Sequence, residues 1–337
     1  IFEKRMAKLE GAESCWATSS GMSALFTILM STLKKGDRVV SGRALFGSCH
    51  YILTEILPKF GIEVKLVDGT SVKQWELALK KKTKIVFFET PSNPCLEIVD
   101  IEKVSRLAHK AGAKVVVDNV FATPILQKPL ELNADIVMYS ATKHLDGQGR
   151  VLGGAILGNK EFCKEIVKPF IRNTGPSISP FNAWVLLKGL ETLDLRVEKQ
   201  TKNTKEIFQF LEGNKHIKKI YYPFDKNSKQ FELAKKQMID GGTVISFELN
   251  SKKKDDKKVS FKFLNNLSLI DISNNLGDSK TLITHPYTTT HHRLSESDKK
   301  KLKITKNLIR LSVGLEEVSD IINDIDLALK KTFKNDK

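Results

Sequence analysis

The chain has 337 residues, 41% of them hydrophobic and 28% charged, with 55 lysines and arginines against 39 acids for a net charge of +16. That length accommodates two domains with full cores, and no apolar run reaches the roughly 18 residues that a membrane-spanning helix needs. The charge raises the question of nucleic-acid binding. However, the lysines fall in scattered runs (Lys80–Lys82, 252–258, Lys299–Lys303) without interleaved aromatics, which is the pattern of solvated helix faces and loops.

The opening IFEKRMAKLE carries neither an initiator Met nor a signal-peptide pattern and reads as the middle of something, so a segment is expected to precede it. Residues 1–11 read as a short helix closed by Gly11. In SSGMSALFTILMSTLKKG, residues Met22, Leu25, Phe26, Leu29, Met30 and Leu33 recur at helical spacing. Ser19-Ser20-Gly21 starts that helix and offers free N–H groups as a phosphate seat. Strands are expected at Asp37 to Ser41, IEVKLVD, IVFFE, KVVVDN and Ala134 to Tyr139, with helices between them, including Trp75 to Lys81 and IEKVSRLAHKAG. Alternating strands and helices, several strands being apolar on both faces, predict a parallel sheet covered by helices. Three strand ends carry polar residues: Glu89 to Asn93, Asp118-Asn119, and Ser140 to Lys143. Ligands of such sheets bind beyond the carboxyl ends of the strands, so these residues should converge.

After Gly158 the character changes. A long helical stretch over Phe181 to Leu211 precedes strands at KKIYY, GGTVISFEL, LIDISNNLG and LIRLSVGLE, with helices near Lys229 to Met238, at VSFKFLNNL and over Val318 to Leu329. This predicts a smaller α+β domain from about Leu195, dividing the chain into 1–194 and 195–337. Cys15, Cys49, Cys95 and Cys163 are far apart, without metal spacing, and read as reduced thiols of a cytoplasmic protein. His285, His291 and His292 lack spaced acidic or cysteine partners, so they read as loop histidines at a substrate entrance and no metal is expected. Lys143, beside Ser140, Thr142 and the glycines of GQGRVLGGA, suits a cofactor bearing an aldehyde and a phosphate.

LEGAE, SSGMSAL, ETPSNP, VDNVFATP, SATKHLDGQGR, LGDSKTLITHP and IRLSVGLE occur in that order from about Phe2 to Leu329. In these motifs the chain resembles the pyridoxal-phosphate enzymes of cysteine and methionine metabolism, the cystathionine gamma-synthase-like family. Within it, GQGRVLGGA and NNLGDSKTLITHPYTTTHH most resemble the sulfhydrylases acting on O-succinylhomoserine. The resemblance implies the aspartate aminotransferase-like α/β fold (fold type I), with pyridoxal 5'-phosphate bound in the large domain. It implies Lys143 as the amine that condenses with the cofactor and then shuttles protons, and Asp118 as the partner of the pyridine nitrogen. It implies Gly21, Met22, Ser140 and Thr142 on the phosphate, Phe46 stacked where relatives commonly have tyrosine, and Asn93 on the phenolic oxygen, with Glu89 supporting that loop.

Arg310 lies in a strand that reads as buried. A buried arginine needs an anion, and the resemblance makes that anion the substrate's α-carboxylate. Asn275 is expected near the same carboxylate, and Arg150 is expected to favour a succinyl group. The family also implies an arm before residue 1 that reaches the neighbouring subunit's site, and dimers paired into homotetramers. The expected reaction is a γ-replacement, O-succinylhomoserine and sulfide giving homocysteine and succinate, with no nucleic-acid or membrane partner. The alternatives are cystathionine gamma-synthase, O-acetylhomoserine sulfhydrylase and gamma-lyase activity. Outside the class stands a basic nucleic-acid-binding or scaffold protein that keeps only the fold.

Overall fold

Short apolar runs between polar turns build the first of two sheets. Their strands are β1 (Ser14–Thr18), β2 (Arg38–Gly42), β3 (Glu63–Val67), β4 (Ile85–Glu89), β5 (Lys114–Asp118), β6 (Ile136–Ser140) and β7 (Gly154–Gly158). The computed structural model describes residues 1–251 and 256–334; residues 252–255 of the lysine-rich run 252–258, and 335–337 of the expected C-terminal domain, lie outside them. The strand order is β1-β7-β6-β5-β4-β2-β3. β2 through β6 run parallel, and β7 lies antiparallel between β6 and β1. All five residues of β4 are buried, as expected of a strand covered on both faces.

Serine and aspartate caps start the flanking helices. Ser20, Ser71 and Asp100 each accept a hydrogen bond from the backbone N–H three residues on. The helix Gly21–Thr32 turns Ala24, Leu25, Ile28 and Leu29 into the sheet. The helix Ile101–Lys110 buries Ile101, Val104 and Ala108 on the other face. The Leu25 group and the Val104 group belong to separate buried clusters, so the sheet has a core on each side.

The second sheet contains β8 (Ile217–Tyr221), β9 (Val244–Leu249), β10 (Asp271–Ile272), β11 (Leu282–Thr284) and β12 (Leu308–Ser312), in the order β10-β11-β12-β9-β8. Only the β10–β11 pair is parallel. The helical stretch expected over Phe181 to Leu211 is two helices, Pro180–Leu190 and Leu193–Leu211. The second one bridges the sheets. Leu193 and Val197 pack in a core with Val137 and Leu157 of the large sheet, whereas Ile207 and Leu211 pack with Phe247 and Leu311 of the small one. A division near Leu195 therefore lies on this helix.

All four cysteines are free and buried. Among the described residues no helix is long and apolar enough to cross a membrane, and no cluster of histidine, cysteine or acid is arranged to hold a metal.

Candidate active site

Parallel pairing brings the expected strand ends together. Glu89 pairs with Asp118 across β4 and β5, and Asp118 with Met138 across β5 and β6, so the ends of three neighbouring strands open on one side. They line a cavity of about 300 Å³ with Gly21, Met22, Phe46, Asn93, Ser140, Thr142, Lys143 and Arg310.

The helix Gly21–Thr32 points its N-terminus at this cavity. A Cβ on Gly21 would lie 2.6 Å from Ser140 Cβ, so only glycine lets the first turn approach the end of β6 so closely. Gly154 does the same from β7, where a Cβ would fall 2.2 Å from Ser20 O. Backbone N–H groups, the Ser140 hydroxyl and the Thr142 hydroxyl thus converge beside the positive end of a helix dipole, a seat for phosphate.

Asp118 Oδ1 accepts the Val120 N–H at 3.1 Å. Burial pushes the Asp118 carboxyl up to about 7. Glu89 accepts N–H groups from Asn93 at 2.8 Å and Phe46 at 2.9 Å. Burial raises its carboxyl well above the ordinary range, and the Asp118 charge adds to that. A cationic or protonated group between them and solvent would relieve both.

Two cations line the same cavity. Lys143 Nζ donates to Asn275 Oδ1 at 2.5 Å, and its ammonium is pushed down to about 8, first by burial and then by Arg310. Arg310 is 1% exposed. It donates to Asn93 Oδ1 at 2.9 Å and to the Asn274 and Asn275 carbonyls at 3.0 Å each. Its Nε is buried without a partner, and burial lowers the guanidinium to about 10. A buried guanidinium held by neutral oxygens, with a donor left over, is prepared for an incoming carboxylate.

Two expected substrate residues are engaged by neighbours within the chain. Asn275 presents its side chain to Lys143 and only its carbonyl to Arg310. Arg150 does not line the cavity. Its Nε reaches Asp146 Oδ1 at 2.9 Å and an Nη reaches Asp146 O at 2.8 Å. His285 is tied to Thr288 and the Lys306 carbonyl, and His291 to Thr290.

Sequence reasoning missed Cys49, Leu152 and Asn274 in the cavity wall. Cys49 follows Phe46 by three positions on the short helix Gly47–Tyr51, a signal that was readable. It also missed a buried chain behind the strands. Tyr139 donates to Glu10 Oε2, and Asn119 Nδ2 donates to the Tyr139 hydroxyl at 2.6 Å. Burial raises Glu10 to about 8, against the opposing Tyr139 hydrogen bond. The chain ties the neighbours of Asp118 and Ser140 to the first helix, Phe2–Glu10.

The donor set fits pyridoxal 5'-phosphate: a phosphate seat, a carboxylate for a pyridine nitrogen, an amine of lowered basicity for an aldehyde, and a phenyl ring at Phe46. Comparison with known proteins agrees. The family profile described as "Cys/Met metabolism PLP-dependent enzyme" matches residues 1–330. The chain is 51% identical over 329 residues to an O-succinylhomoserine sulfhydrylase of Mycobacterium tuberculosis, covering 98% of this chain and 81% of that protein. It is 42% identical over 333 residues to an L-methionine gamma-lyase of Fusobacterium nucleatum subsp. polymorphum, covering 98% and 83%. The crystal structure of cystathionine gamma synthase from Xanthomonas oryzae pv. oryzae, in complex with cystathionine, superposes with a TM-score of 0.95 at 31% identity, covering 99% of this chain and 85% of that one.

Proposed function

We propose that this chain, which belongs to the Cys/Met metabolism PLP-dependent enzyme family, carries out γ-replacement on O-succinylhomoserine. The C–O bond at the γ-carbon breaks, succinate leaves, and sulfide forms the new C–S bond of homocysteine, its proton passing to the departing succinate. An amino-acid substrate is supported above all by the unpartnered donor on buried Arg310, set across one cavity from Lys143. The choice of sulfhydrylase over lyase is supported by the higher identity to the Mycobacterium tuberculosis sulfhydrylase.

Pyridoxal phosphate, when bound, supplies an aldehyde for an amine and a protonated ring that accepts electron density from the substrate's α-carbon. Asp118 keeps the proton on the ring nitrogen. Gly21, Met22, Ser140 and Thr142 hold the phosphate, and Phe46 covers one ring face but has no hydroxyl to donate. Asn93, whose Oδ1 is taken by Arg310, offers Nδ2 to the phenolic oxygen. Arg310 forks onto the α-carboxylate, a task for which a lysine has the wrong geometry. With the cofactor and substrate bound, Lys143 would remove the α-proton and then a β-proton, and Asn275 would orient its amine.

The deciding experiment incubates the PLP-loaded protein with O-succinyl- or O-acetylhomoserine and with sulfide or cysteine, and identifies products by chromatography. Homocysteine from the succinyl ester should form fastest. Faster cystathionine formation, or oxobutyrate release without a nucleophile, would reject the reading in favour of a synthase or a lyase.

A further inference from the structure

A second cavity of about 470 Å³ opens directly beside the first. The two share Phe46 and Asn274 as a common wall. Asn274 is also the residue whose carbonyl holds Arg310, so the second space begins where the α-carboxylate clamp ends. It is lined by His50, His292 and Arg293 among others.

The charges facing it sort unevenly. Asp298 is engaged by the Ser295 hydroxyl at 2.7 Å and by Lys301 Nζ at 3.2 Å. Glu55 also lines the cavity and is exposed. Among the described residues Arg293 has no ion-pair partner, and its guanidinium is exposed. An unpaired fork lining a space that shares a wall with the amino-acid clamp suits a second carboxylate on the same molecule. Arg150 is less suited, because Asp146 already occupies its Nε and one Nη.

We propose that this second cavity receives the acyl arm of the homoserine ester and that Arg293 pairs with its terminal carboxylate, making Arg293 the residue that selects a succinyl over an acetyl ester. The inference rests on the γ-replacement reading above. An acetyl group ends before the space is filled and leaves Arg293 in water; a succinyl group reaches a cation at no cost in buried charge.

The test compares kcat/KM for the two esters, with sulfide, in wild type, Arg293→Ala, Arg293→Lys and Arg150→Ala. Arg293→Ala should lower the succinyl-to-acetyl preference about five- to tenfold, the range for a partly solvated charge-assisted pair. The change should sit in KM for the succinyl ester, and Arg293→Lys should recover part of it. Free succinate should also inhibit Arg293→Ala more weakly than wild type. A succinyl-preferring wild type whose preference and succinate inhibition survive Arg293→Ala, or respond only to Arg150→Ala, overturns this inference alone. A wild type that prefers the acetyl ester, or turns over neither, overturns the γ-replacement reading and this inference with it.

Discussion

The two walls of the cavity are built on different principles. The large-sheet wall is made of strand ends and a helix N-terminus, so main-chain pairing positions Glu89, Asp118 and Ser140. Its carboxylates, Glu89 and Asp118, are kept from ionising by burial, and Lys143 follows the end of β6 beside them. The small-sheet wall is one arginine in the middle of β12, aimed by side-chain and carbonyl contacts from residues far away in sequence. Its charge is positive and likewise disfavoured by burial. The first wall is therefore shaped to receive a cationic ring and a phosphate, and the second a carboxylate. Each lacks a counter-charge that a bound molecule carries.

This division can be broken by mutation. Lys143→Ala should have the largest effect, lowering kcat by at least ~10³-fold, within the range for a positioned proton-transfer group, and removing the visible band of covalently bound cofactor. Asp118→Asn attacks the same wall; kcat should fall by ~10²-fold and the band should shift. Arg310→Lys attacks the other wall and should raise KM for the amino acid roughly 10- to 100-fold, the loss of a bidentate charged contact, while the cofactor band stays. A bleached band in Arg310→Lys would show that the walls are not separable.

Two pH effects are smaller. Because Lys143 titrates near 8, its neutral form grows as pH rises through that value. Capture of added pyridoxal phosphate by the cofactor-free protein, followed by absorbance, should speed up between pH 7 and about 9. Glu10 is raised from its usual 4.5 to about 8. Between those values the unfolded chain ionises and the folded one keeps its proton, so this group's contribution to stability is full below 4.5 and lost as pH climbs through 8. The loss reaches on the order of a few kcal/mol. In urea titrations, Glu10→Gln should flatten the fall in stability from pH 5 to 8; an unchanged slope would exonerate Glu10.

The walls also differed in how far the sequence disclosed them. β4, β5 and β6 are continuous apolar runs ending in polar residues, so their parallel pairing and the convergence of their ends followed from pattern alone. β1 and β7 escaped notice: β7 is GAILG, a strand whose Gly154 packs against Ser20 and which reads as a loop. The stretch LIDISNNLG contributes only two residues to β10, because β11, a three-residue strand that was not anticipated, takes over the pairing with β12. On the small-sheet wall, Arg310 stood out as a charge in an apolar strand. The attachment of Arg150 to Asp146 four residues earlier, and the turn of Asn275 toward Lys143, depend on side-chain directions in loops. No periodicity in the sequence encodes those.

The helix Leu193–Leu211 has one end in each hydrophobic core. Melting either core would strip that helix of half its anchorage, so neither half of the chain has a free-standing boundary at which to come apart. Heating the cofactor-free protein should therefore produce a single calorimetric endotherm, and chains cut near Leu195 should not survive as independently folded pieces.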